Sequence, residues 1–459
     1  MSEIRDYQVD HLLLLVGSNP VPNAVAGKLL TASGGTITLI HSADSLDLAQ
    51  RLKSWFVNAG YSDKNIGFTQ VEESNATLVY ERVHEVLEQR ENDFSKANTA
   101  RMARVGLNYT GGTKVMSVHT YRALENWAKS RDREAIFSYL DARALQMRFD
   151  RAPGRDAISF YVGLEVDIGI RDLLELHDWK LEKAPTTVPM LPQTAAALLT
   201  VHSNPSDARI WTEWLHNELF RNTRRREVIP PPIWIYQSEE ELQEKLERPA
   251  SNDRWKSNTD LRKLAVSWPN LPILREPMSN ELGQSGAEYL NLTAVKGKGC
   301  KDEQDFCKWL SGTWLESAVL AALQNCPQEL HLKESCMDLQ PKVPRNGAGK
   351  TGFQFDVVAI RGYQMFAFSC STESAEESGG RGRLKQKLFE AYVRARQMSG
   401  DEACVALVCC ARQEMADELE DEMRYDFSLE GRIRVFGREH LEKLTQNIAD
   451  WVREQSEEG

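Results

Sequence analysis

The stretch Asn108-Tyr109-Thr110-Gly111-Gly112-Thr113-Lys114 joins an apolar run at 105–107 to a helix-like segment that opens on Lys114. Two adjacent glycines can take positive φ and let a ligand approach the backbone. The freed N–H groups at a helix start carry partial positive charge, and Thr110, Thr113 and Lys114 add donors and a full charge. The chemistry is that of an anion cradle; the plainer alternative is a strand-to-helix turn with no ligand. A second loop of this kind lies near the start, where the apolar run 11–16 stops at Gly17-Ser18-Asn19-Pro20 and a helix begins near Pro22-Asn23. Open parallel sheets bind ligands beyond the carboxyl ends of their strands, where the topology switches, so two such loops could face one ligand. A third feature is Asp356 inside the apolar Phe355-Asp356-Val357-Val358, a costly place for a charge without a partner or a metal.

The elements that must position these residues follow from periodicity. Strands are expected at 11–16, 36–41, 66–68, 105–108 and 135–140, and helices at 45–59, 75–89, 98–103 and 114–130. Leu46, Leu48, Leu52, Trp55 and Phe56 recur mostly at three- and four-residue steps, as a helix packed on a sheet requires. This alternation predicts a doubly wound α/β unit over residues 1–150. Residues 151–295 are less regular: a hairpin at 158–162 and 164–168, helices at 192–200 and 210–220, and a stiff Pro230-Pro231-Pro232. Trp211, Trp214, Trp234, Trp255 and Trp268 concentrate there and are expected to fill a core or interface, giving a connector packed against both ends of the chain. A third unit over 296–459 has a helix at 306–325, strands at 353–360, 364–369 and 404–410, and a helix at 384–398. A strand at 433–436 and a helix at 438–451 complete it.

Composition narrows the function classes. No apolar run approaches the roughly 20 residues that span a bilayer, and Met1–Asp6 lacks a signal-peptide pattern, so a cytoplasmic protein without membrane contact is expected. All eight cysteines lie at 300 or beyond without a Cys-x-x-Cys pair, which favours reduced core thiols. A net charge of −11 means that nucleic-acid binding would need a local basic patch. The best linear cluster, Arg221 to Arg226, reads more simply as a solvated helix end. Asn346 to Thr351 lacks the first glycine of a P-loop, since position 344 is Pro.

Together, the loops at 12–23 and 107–116 resemble the CARF sensor domain of type III CRISPR ancillary proteins. The resemblance implies a Rossmann-like fold, a homodimer and a cyclic oligoadenylate ligand, with cyclic tetra-adenylate expected. It assigns ligand contacts to Gly17, Ser18, Asn19, Asn23, Asn108, Thr110, Gly111, Gly112, Thr113 and Lys114. Gly312-Thr313-Trp314-Leu315-Glu316, followed by the Asp356 strand, resembles the PD-(D/E)XK effector domain of CARF ancillary nucleases, a restriction-endonuclease-like fold. That family cleaves DNA or RNA with Mg²⁺ or Mn²⁺, which implies Glu316 and Asp356 as metal carboxylates.

The motif is degenerate. Gln354 stands where Glu is usual, and Ser369-Cys370-Ser371 replaces the Glu-x-Lys triplet. Either the site has migrated to Lys385, Lys387 and Glu390 on the following helix, or the domain is a non-catalytic pseudo-nuclease that regulates or scaffolds. A third reading is a ring nuclease that degrades the cyclic ligand within the CARF pocket.

Overall fold

The computed structural model describes residues 3–96, 104–150, 158–229, 250–295, 299–342, 352–374, 379–427 and 432–457. The expected helix at 98–103, the Pro230–232 run, Trp234 and the 346–351 loop lie outside them.

The N-terminal unit is built on β1 (Val9–Leu15), β2 (Thr31–His41), β3 (Ile66–Gln70), β4 (Val105–Asn108), β5 (Ala135–Asp141), β6 (Gln146–Phe149) and β7 (Ile158–Tyr161). The sheet order is β3-β2-β1-β4-β5-β6-β7. The first five strands are parallel; β6 and β7 are antiparallel additions. Helices α1 (Val21–Leu30), α2 (Leu46–Asn58), α3 (Ala76–Lys96) and α4 (Lys114–Lys129) cover it. Alternate residues of β1 divide between the faces. Leu12 and Leu14 pack with Val25, Leu52 and Phe56 of α1 and α2, while Leu13 and Leu15 pack with Val83, Met116 and Leu124 of α3 and α4. A strand buried on both faces reads as a continuous apolar run, which is why Leu12 to Leu15 shows no alternation.

The stretch expected as the first strand of a hairpin, 158–162, instead closes this sheet as β7, paired with β6. Its expected partner, 164–168, forms turns and leads to α5 (Ile170–Leu176). The Arg221–Arg226 cluster is also divided: a helical turn ends at Thr223, and Arg224–Ile229 is a strand. Arg224 lies 3.6 Å over the Phe220 ring and 4.3 Å over Trp255, so this arginine anchors the strand instead of extending into solvent.

The C-terminal sheet has five strands, in the order Leu332–Leu339, Phe355–Arg361, Gln364–Ser371, Cys404–Cys409, Ile433–Phe436. The first three are antiparallel and the last three parallel. On one face lie the helix Trp314–Gln324, the connector helices Pro192–Ser203 and Pro272–Leu282, and the terminal helix Leu444–Glu457, all sharing one core. Trp211, Trp214 and Trp268 are buried in it, as their clustering predicted. The other face carries the helices Gly380–Ser399 and Gln413–Phe427, and its core runs through Ile168, Ile170 and Leu173 into the N-terminal unit. All eight cysteines are unpaired, and seven are buried. Among the described residues, no helix is long and apolar enough to cross a membrane.

Candidate functional site

Neighbouring β1 and β4 lie at the topological switch of the N-terminal sheet. Their following helices leave to opposite faces, which opens a crevice between the two glycine loops. The loops touch backbone to backbone. A Cβ on Gly111 would stand 2.1 Å from the Leu15 carbonyl oxygen, and one on Gly17 would stand 2.9 Å from the Gly112 nitrogen. Gly112 has a φ of 76°, in the left-handed region open to glycine.

The polar residues around this junction fall into two groups. Asn108 is fully buried. Its amide donates to Ser138 Oγ (3.2 Å), and its Oδ1 accepts from Thr110 Oγ1 (2.7 Å). Thr110 Oγ1 in turn accepts the Leu140 N–H at 2.7 Å. Buried Asn23 donates to the Leu15 carbonyl at 2.9 Å. Thr113 caps α4 by accepting the Met116 N–H. Asn19 Oδ1 accepts the Val21 N–H at 3.1 Å. These side chains set the loop geometry. Ser18 and Lys114 are exposed, and Gly17, Gly111 and Gly112, close to them in the chain, are partly exposed. The supporting asparagines therefore shape the cradle, while Ser18, Lys114 and the glycine amides form its accessible part.

In the C-terminal unit, Glu316 lies in the first turn of the helix Trp314–Gln324, which packs on the sheet. Asp356 Oδ2 accepts the Cys370 N–H at 2.8 Å and the Ser369 hydroxyl at 3.3 Å. Lys387 Nζ donates to the Cys370 carbonyl at 2.9 Å, and its charge acts on both Glu316 and Asp356. Burial, followed by the charges of Asp356 and Asp338, pushes the Glu316 carboxyl up to about 8 against the pull of Lys387 and Lys183. Burial also raises Asp356, opposed by its hydrogen bonds and by Lys387.

Of the helix residues expected to replace the missing triplet, only Lys387 joins this group. Lys385 is paired with Glu422 and Asp426 on the neighbouring helix, and Glu390 is exposed. Position along the helix explains the difference: Lys387 reaches the end of the serine strand, and Lys385 faces the acidic helix Gln413–Phe427.

Asp338 was not singled out from the sequence. It lies between the pairs Met337↔Val357 and Leu339↔Phe355, beside Asp356, with a φ of 58° and an ion pair to Lys183. Its strand, Leu332–Leu339, was itself not anticipated, so nothing linked Asp338 to Asp356. Among the described residues, no group of three or more His, Cys, Asp or Glu is arranged to hold a metal ion. Two carboxylates with water and phosphate oxygens nevertheless match how Mg²⁺ is usually held. Glu316 and Asp356 are two carboxyls of this group, and the charge of Asp356 acts on Glu316.

A doubly wound α/β unit joined to a mixed-sheet α/β unit is an architecture that other proteins share. Protein VC1899 from Vibrio cholerae matches at 13% identity over 97% of this chain and 98% of its own, with a TM-score of 0.60. Can2 from Sulfobacillus thermosulfidooxidans, solved in complex with cyclic tetra-adenylate, matches at 13% identity over 96% of this chain and 99% of its own, with a TM-score of 0.57. At this identity the likeness establishes the fold alone: a Rossmann-like α/β unit followed by a mixed-sheet α/β unit. No protein-family model and no curated protein matches the sequence.

Proposed function

We propose that this chain is a cyclic-oligoadenylate-responsive effector of type III CRISPR defence, with cyclic tetra-adenylate as its ligand and a nuclease-like C-terminal unit. The observation that carries the reading is the pair of glycine loops interlocked at the β1–β4 switch point, in a fold shared with a protein solved with that ligand. The cradle offers backbone amides, the start of α4, and the exposed Ser18 and Lys114 to phosphates. A two-fold ligand is best met by a two-fold pocket, which implies an isologous homodimer. Lys114 and Val118, four residues apart on α4, share a face, and Val118 is 53% exposed, as a partner-facing position would be in one subunit.

In the C-terminal unit, the proposed reaction is metal-dependent cleavage of DNA or RNA. Glu316 and Asp356 would hold Mg²⁺ or Mn²⁺, and the bound ion would supply Lewis-acid activation of the phosphate. Lys387 takes the role of the missing triplet lysine, its ammonium stabilising charge that develops on the phosphate. Ser369 orients Asp356 through its hydroxyl but adds no charge.

A second reading, the pseudo-nuclease, is favoured by two observations: Lys387 already donates to the Cys370 carbonyl, and the carboxylates are not grouped for a metal among the described residues. Labelled cyclic tetra-adenylate and mixed nucleic-acid substrates with Mn²⁺, incubated together, separate the readings. Ligand-dependent cleavage lost in Asp356→Ala supports the nuclease. Ligand binding without cleavage supports the regulator.

A further inference from the structure

Asn19 faces two ways. Its Oδ1 accepts the Val21 N–H at the start of α1, and its Nδ2 donates to Glu402 Oε2 at 3.4 Å, 383 residues away in the C-terminal unit. The approach depends on Gly400, whose φ of 75° and ψ of −151° suit glycine and whose added Cβ would stand 1.8 Å from Asn19 Nδ2. A second grip secures the same turn. Arg432 donates to the Glu402 carbonyl at 2.7 Å and to the Ala142 carbonyl, between β5 and β6, at 3.0 Å. The Gly400–Glu402 turn is thus held from both loops of the N-terminal unit that approach it.

Glu402 is an expensive way to hold two units together. It is fully buried, and its Oε1 has no hydrogen-bond partner among the described residues. Burial pushes its carboxyl up to about 7, against Arg432, Asn19 and Arg396. A half-satisfied buried carboxyl adds little net stability, and an apolar residue would serve adhesion better. The contact is therefore suited to being broken. The turn continues directly from the helix Gly380–Ser399, and Lys387 lies twelve residues before Ser399, about 18 Å along the axis. A packed helix moves as a unit, so a shift at one end reaches the other.

We infer that the Asn19–Glu402 contact transmits occupancy of the glycine loops to Lys387 through the helix Gly380–Ser399. This rests on the reading of those loops as the ligand site. A ligand that binds the loops better with the contact broken, or better with it made, shifts the helix by that difference in affinity.

The test is amide hydrogen exchange across 380–399 in the full chain, with and without cyclic tetra-adenylate, alongside the ligand affinity. The unsubstituted protein should show a ligand-dependent change of about fivefold or more, the lower end of ordinary allosteric coupling. Glu402→Met, which fills the space but cannot accept from Asn19, should bind ligand and lose that response. Glu402→Gln, which keeps an accepting oxygen, should retain it. A full response in Glu402→Met, or its loss in Glu402→Gln, would overturn the inference and leave the ligand site standing. Failure of the unsubstituted protein to bind the ligand would overturn the functional reading and the inference with it. If Glu402→Met does not fold, Glu402→Leu, which also lacks an acceptor for Asn19, replaces it with the same expectation.

Discussion

Glu316 makes the C-terminal site sensitive to pH in a direction that can be worked out. Its carboxyl is raised from 4.5 to about 8 by burial and by the neighbouring Asp356 and Asp338. The folded protein therefore holds a proton that the unfolded chain releases above the ordinary glutamate range. Stability from this group is complete below pH 4.5 and is lost as the pH rises towards 8, by about 1.4 kcal/mol per pH unit. Between pH 6 and 7.5 the loss is about 2 kcal/mol. Glu316→Gln cannot ionise, so it should match the unsubstituted protein near pH 4.5, and its advantage should grow by about 2 kcal/mol between pH 6 and 7.5. For a unit of this size the gain corresponds to about 4–8 °C in Tm. The assay is thermal unfolding at both pH values with a chelator present, because a bound divalent cation would ionise Glu316. Glu402, raised to about 7, adds a slope of the same sign that remains in the variant. Parallel curves for the two proteins between pH 6 and 7.5 would refute the burial argument for Glu316.

Other outcomes follow from the same geometry. Gly111→Ala forces a Cβ to 2.1 Å from the Leu15 carbonyl and should weaken cyclic tetra-adenylate binding at least tenfold, measured by calorimetry. Gly382→Ala meets nothing within 4 Å in a helix and should raise Tm slightly, by about 0.5–1 kcal/mol of stability. Asn108→Ala leaves Thr110 and Ser138 without their buried partner and should cost about 1–3 kcal/mol in denaturant unfolding. Lys387→Ala should lower metal-dependent cleavage by about a hundredfold, whereas Lys385→Ala, which breaks a surface pair to Glu422, should change it little.

Legibility in the sequence tracked local periodicity. The apolar run at 105–107 and the Gly-Gly turn after it placed β4 and α4 correctly, because a buried parallel strand and a capped helix both leave short-range signals. The Glu316 helix, the Asp356 hairpin and the Lys387 helix were legible for the same reason. The edge strand Leu332–Leu339 was not, since Lys333 and Glu334 interrupt its pattern where one side faces solvent. Asp338 was missed with it. The assignment of 158–162 to a hairpin with 164–168 failed because pairing partners are a tertiary property, and Gln146–Phe149 was the better partner. The Asn19–Glu402 contact, which joins residues 383 positions apart, could not have been read from spacing at all.

The most direct test of the central claim is equilibrium binding of labelled cyclic tetra-adenylate to the full chain, with Gly111→Ala alongside. The account predicts saturable binding by the unsubstituted protein and a loss of at least tenfold in the variant, whose Cβ would push the two loops apart. No binding by the unsubstituted protein, or equal binding by both, would contradict the assignment of the glycine loops as the ligand site.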